Sequence, residues 1–143
     1  MKRLFVLLIL SAILSNCNNK KLRTTKYEFL KKVSIEANKH CPIQVDSILK
    51  LQSTLALPVS TFRYNYTLKY DTVKYDIHEF KKALRLTSLN SVKTHPDAKM
   101  FRDMNATIEY YYSDTLGNYL FKIVINPGDY NQRSINKYED EIK

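Results

Sequence analysis

His40 and Cys41 stand side by side, and thiol beside imidazole is the raw material of a cysteine nucleophile. Such a nucleophile needs its base within hydrogen-bond reach and a third group to orient that base. Sequence neighbours at a helix end do not point at one another, and no second motif supports the pair. Cys41 therefore reads first as a small apolar residue closing a helix, with a Cys41-dependent enzyme as an alternative. His78 and His95 add possible metal ligands, but nothing in the chain has Cys-x-x-Cys or His-x-x-x-His spacing, so no metal site is expected. Asp71 with Asp76 and Glu109 with Asp114 are the carboxylate pairs available for acid–base work. Asp71 and Asp76 flank a strand-to-helix connection and Asp114 lies in a turn, so capping and turn closure account for these three. Two glycines in the whole chain leave no room for a Gly-rich phosphate loop. No catalytic residue and no cofactor is expected.

Cys17 offers different chemistry. Lys2 and Arg3 precede an apolar run, Leu4 to Leu14, that is too short to cross a bilayer and ends in small residues. That is the layout of an export signal. Leu14-Ser15-Asn16-Cys17 resembles the lipobox of bacterial lipoproteins, where the signal is cut before a lipid-modified cysteine; Asn16 stands where Gly or Ala is usual. The resemblance implies a signal peptide over 1–16, lipid attachment at Cys17 and a tether over 17–24. It implies a chain exported and anchored to a bacterial membrane on its periplasmic or cell-surface side. With Cys17 acylated, Cys41 is the remaining thiol and no intramolecular disulfide can form. The exported domain must then rest on its hydrophobic core.

The formal charge is +9, and loss of Lys2 and Arg3 leaves +7 on the mature chain. Lys20, Lys21, Arg23, Lys26, Lys31, Lys32 and Lys39 against Glu28 and Glu36 put most of that excess beside the anchor. Solvated lysines that aid solubility explain much of it. Anionic headgroups would also attract such a segment. An exported chain rarely meets nucleic acid, so no nucleic-acid partner is expected.

The spacing of apolar residues then sets the elements. Thr25-x-x-Glu28 has capping-box spacing, and Tyr27, Leu30, Val33 and Ala37 form one face of a helix ending near His40, because Pro42 disfavours helical geometry at Cys41. Leu49, Leu51, Leu55 and Leu57 alternate with Lys50, Gln52, Thr54 and Ala56. After Pro58, Phe62, Tyr64, Tyr66, Leu68 and Tyr70 alternate with polar residues, which predicts two strands with one buried and one wet face. Asp76-x-x-Glu79 opens a second helix to about Lys93, and Pro96 starts a short one to Met104. Strands follow over Ala106 to Tyr112 and Tyr119 to Ile125, joined by a turn at Ser113 to Asn118. Pro127-Gly128 ends the last strand, and residues 131–143 form a polar tail.

The order αββαββ predicts a single α+β domain over 25–130: a four-stranded antiparallel sheet with its helices on one face. Tyr64, Tyr66, Tyr70, Tyr110, Tyr112 and Tyr119 fall on the inward phase as core, although tyrosine also suits binding surfaces. Tyr111 should face outward. With Arg63, Asn65, Lys69 and Lys122 it marks a possible binding face on the wet side of the sheet.

The stretch Asn38-Lys39-His40-Cys41-Pro42-Ile43-Gln44-Val45-Asp46, with Tyr64-Asn65-Tyr66-Thr67-Leu68 and the segment from Tyr110 to Tyr130, resembles an uncharacterised group of small exported bacterial proteins. Those motifs imply turns and core positions and no activity. The whole reads as a cell-envelope lipoprotein whose domain binds a protein, a peptide or an envelope polymer without catalysis. An inhibitor or immunity protein, plugging an exported enzyme with the Asp114 to Asn118 hairpin, is the alternative.

Overall fold

A computed structural model describes residues 24–69 and 76–131. Cys17, the signal 1–16, the tether up to residue 23, Tyr70, Asp71 and the tail from residue 132 onward lie outside the described residues. Helix α1 spans 24–38, with Leu30 fully buried and Tyr27 and Val33 packed on the core as their spacing predicts. There follow β1 (Ile43–Gln44), β2 (Leu49–Leu57), β3 (Thr61–Leu68), α2 (Ile77–Thr94), a 3-10 turn (Pro96–Ala98), α3 (Lys99–Asp103), β4 (Thr107–Ser113), β5 (Tyr119–Ile125) and α4 (Pro127–Tyr130). Asp76 caps α2 by accepting from the His78 N–H at 2.7 Å, and Glu79 adds negative charge to the first turn, where the helix dipole favours it.

The sheet corrects the expected architecture in two respects. It has five strands, in the order β1-β2-β3-β4-β5, and it is mixed, because β3 and β4 run parallel while the other neighbours are antiparallel. Two hairpins joined through a helix need not meet antiparallel. A strand–helix–strand crossover returns the chain to the starting end, so the second hairpin adds beside the first with its leading strand parallel. The fifth strand is the two-residue β1, paired to β2 at Ile43–Leu51 and Gln44–Lys50 and too short to leave a periodic signal. Helix α4 went unread for the same reason, and its Tyr130 is buried with its hydroxyl donating to the Ala106 carbonyl at 2.7 Å.

Two other differences share one cause. In β2 the residue partners skip Gln52, and beyond that bulge the phase inverts. Leu49 packs on the core, but Thr54 and Ala56 are buried, and Leu55 faces out with 45% of its surface exposed. In β5 the partners skip Leu120. Leu120 packs against the core and Tyr119 turns outward, contrary to its expected inward place. One extra residue reverses every later side chain of a strand.

All four helices supply buried residues to one core: Leu30, Val92, Phe101 and Tyr130 meet Phe62, Leu68, Ile108, Tyr112, Phe121, Ile123 and Ile125 of the sheet. Helix α1 is tied to β2 by polar contacts. Asn38 accepts from the Thr54 N–H at 2.7 Å and donates to the Thr54 carbonyl at 3.0 Å, as a neighbouring strand would. Ser34 donates to the same carbonyl at 2.9 Å. Asp46 closes the turn after β1 by accepting from the Ile48 and Leu49 N–H groups, each at 2.8 Å.

Asn38→Ala strips the buried Thr54 backbone of an acceptor and one of its donors, so it should cost about 1–3 kcal/mol in denaturant unfolding. Leu55→Thr should stay within about 0.5 kcal/mol, since that side chain is outside the core. A reversed ranking would show that β2 keeps its unbroken alternation in solution.

Candidate functional site

Two surfaces concentrate functional groups, one on each side of the sheet. On the outer face, the parallel register sets Arg63 beside Glu109 and Asn65 beside Tyr111. Arg63 grips Glu109 at 2.7–2.9 Å, and Lys122 reaches the other carboxylate oxygen at 3.1 Å. The Arg63 guanidinium lies over the Tyr111 ring, 5.4 Å from its centroid, and Tyr119 packs against Tyr111 at 5.1 Å. Burial pushes the Glu109 carboxyl up, but the hydrogen bonds and charges of Arg63 and Lys122 outweigh it and hold the group below the ordinary carboxylate range. The structure thus gathers Arg63, Tyr111 and Lys122 around Glu109. Asn65 turns to Ser53 at 3.0 Å, and Lys69 stands exposed one residue beyond β3.

On the helix side an open pocket of about 290 Å³ lies between the inner faces of β3 and β4, the last turns of α2, and the 3-10 turn with α3. Tyr64, Tyr66 and Tyr110 form its floor, with Ile108, Val92, Met100 and Phe101 as apolar walls and Ser91, His95 and Asp97 at its polar positions. The floor exists because the parallel register pairs Tyr64 with Tyr110 and Tyr66 with Tyr112. The rings stand nearly parallel, Tyr64 on Tyr110 at 5.4 Å and 13°, and Tyr66 on Tyr112 at 5.4 Å and 17°. Faces are thus spent on each other, and edges and hydroxyls are left for the pocket. Among the described residues no hydrogen bond engages the hydroxyls of Tyr64, Tyr66 or Tyr110, and no fully buried side-chain polar atom lacks a partner. These three hydroxyls therefore keep some exposed surface, in residues that line the pocket.

Burial is the main cause that raises all three phenols: Tyr66 to about 12, with Tyr64 and Tyr110 held up further, helped by their tyrosine neighbours and, for Tyr64, by the Asp97 charge. At ordinary pH the floor is a set of neutral O–H groups that can donate and accept. His95 and Asp97 are held at the rim by the start of the 3-10 turn, where the His95 ring accepts from the Asp97 N–H at 3.3 Å. Arg102 pins the end of α2 by donating to the carbonyls of Val92 at 2.7 Å and His95 at 3.0 Å.

The tyrosines of this floor were legible as inward residues, but their opening into a pocket was not. Ser91 and Asp97 carried no signal beyond their helix-end positions, and His95 stood out only as a possible metal ligand. The other candidates stay apart. His40 lies exposed past α1, His78 in the first turn of α2, and half-exposed Cys41 has no hydrogen bond to His40 among the described residues. Asp114 accepts from the N–H groups of Leu116 at 2.9 Å and Asn118 at 2.8 Å, which closes the β4–β5 turn. No group of three or more His, Cys, Asp and Glu suited to a metal occurs among the described residues. No described helix is long and apolar enough to cross a membrane.

Phenols with raised pKa hold their protons more tightly folded than unfolded. Their stabilising contribution is thus complete below pH ~10 and lost as pH climbs through the folded values. Alkaline titration followed by phenolate absorbance should show part of the eleven tyrosines ionising only as the fold is lost, above pH ~10. If all eleven ionise near pH ~10 with the circular dichroism intact, the buried floor is wrong.

Among solved structures, a Pseudomonas aeruginosa protein described as secreted superposes with a TM-score of 0.66 at 11% identity, over 76% of this chain and 95% of its own. The type 2 secretion system pilotin EpsS of Vibrio vulnificus gives 0.64 at 10%, over 77% and 96%, and the type II secretion system pilotin AspS of Vibrio cholerae gives 0.61 at 12%, over 77% and 96%. At such identities the likeness establishes the α+β fold. No curated protein matches by sequence. Residues 18–121 match the model of the domain of unknown function DUF8479, and the chain belongs to that family.

Proposed function

We propose that this chain is an exported lipoprotein of the bacterial envelope, anchored through Cys17, whose domain over 25–130 binds a segment of another protein and catalyses nothing. The observation that carries the reading is the tyrosine-floored pocket. It is about twice the ~150 Å³ of a cavity that holds benzene, so it takes one bulky side chain with part of its backbone. Apolar walls would hold such a side chain, and the free phenol hydroxyls would meet a backbone carbonyl or N–H. Rings that face one another leave no stacking platform for a sugar, which favours peptide over polymer. The fold shared with two pilotins of type II secretion systems supports a role beside an envelope protein assembly. The outer face around Arg63, Asn65, Lys69, Tyr111 and Lys122 is a proposed second contact. Its central charges are already paired, so it would add specificity rather than a deep anchor.

A specific feature favours the inhibitor or immunity reading as the rival. The β4–β5 hairpin is stiffened by Asp114 and Asn118, and it presents Leu116 at its tip with 86% of its surface exposed. Photo-crosslinking in cells separates the two. A crosslinker at Ser91 should join one protein species, and a crosslinker at Leu116 should not; adducts from Leu116 alone would transfer the function to the hairpin. Metabolic labelling with a fatty-acid probe should mark the wild type and spare Cys17→Ala. An unlabelled wild type would end the anchor proposal.

A further inference from the structure

The side of α1 turned away from the core carries its own pattern. Phe29 and Ile35 are 45% and 56% exposed, and Lys31, Lys32 and Lys39 are exposed with them. Single exposed apolar residues are ordinary. Here the spacing couples them: Ile35 lies one turn after Lys31, and Phe29 three residues before Lys32, so basic and apolar groups share one surface. Lys39 is paired with Glu36 at 2.6 Å. None of the ion pairs among the described residues takes up Lys31 or Lys32.

Position adds a second argument. Seven Lys and Arg against two Glu place +5 of the mature chain's +7 between residues 18 and 40. An extended chain from Cys17 to the start of α1 spans at most about 25 Å. An anchored chain therefore keeps α1 near the bilayer. We propose that this face of α1 lies on an anionic lipid surface, with Phe29 and Ile35 entering the headgroup boundary and Lys31 and Lys32 meeting its negative charge. The proposal rests on the anchored reading for how the surface is brought near, whereas the attraction itself needs no acyl chain. A second copy of the chain would oppose like charges.

The test uses the mature chain carrying Cys17→Ala, so that lipidation plays no part. It should sediment with phosphatidylglycerol-containing vesicles, release as salt rises, and ignore phosphatidylcholine vesicles. Lys31→Glu with Lys32→Glu should weaken that binding about tenfold or more, and Phe29→Ser with Ile35→Ser several-fold, with thermal melts unchanged. Equal binding to both vesicle types, or full binding by both double variants, overturns the proposal. So does a crosslinker at Ile35 that yields a single protein adduct in cells and no lipid. Fatty-acid labelling of the wild type is read separately, so loss of the anchor and loss of this contact are distinct results.

Discussion

The parallel pairing of β3 with β4 is the constraint on which the other features of this molecule depend. Phe62 meets Ile108, Tyr64 meets Tyr110 and Tyr66 meets Tyr112, so the aromatic residues of two distant segments fall in register on one face. Stacking of these rings with one another and with Phe121 at 4.6 Å binds the two hairpins into a single core. On the opposite face the same register sets Arg63 beside Glu109, and so creates the charge cluster that Lys122 completes. Both candidate surfaces are consequences of this one pairing.

The pocket arises where coverage of the inner face is incomplete. Helix α1 is bound to the β2 edge through Asn38 and Ser34, and α2 lies toward β5 and α4, with Arg85 donating to the Val124 carbonyl at 2.6 Å. Between them the short 3-10 turn and α3 bring down Phe101, which packs on Phe62 at 5.0 Å and on Tyr64 at 6.5 Å. Beyond Phe101 the inner face stays open as the pocket, with Ser91, Val92, His95, Asp97 and Met100 around it. The cost of leaving phenols half-covered is moderate, because the hydroxyls stay in reach of water while the rings are buried.

The stretch running from Asn38 to Asp46 makes architectural contacts. Asn38 occupies the backbone of Thr54 and blocks part of the β2 edge, Ile43 and Gln44 add a short edge strand, and Asp46 ends the turn. Edges covered in this way resist unwanted strand pairing. Cys41 sits inside this frame as a free, half-exposed thiol, which gives the Cys-Pro pair a structural setting.

Local order was legible in the residues alone. The cap at Asp76, the turn at Asp114, the helical stripe of α1 and the alternation of β3 and β4 are set by contacts between near neighbours, and they appear where spacing places them. The inward tyrosines and the outward Tyr111 were read from the same period of two. Strand direction, the Gln52 and Leu120 bulges and the pocket could not be read that way. Each depends on which segment lies alongside, and a bulge is defined only against its partner strand, where two residues oppose one. Tyr119 shows the limit: its alternation points inward, yet the register imposed by β4 turns it to solvent against Tyr111. Sequence determined which residues prefer burial; tertiary pairing decided which of them leave a hydroxyl free, because that depends on what the opposite layer fails to cover.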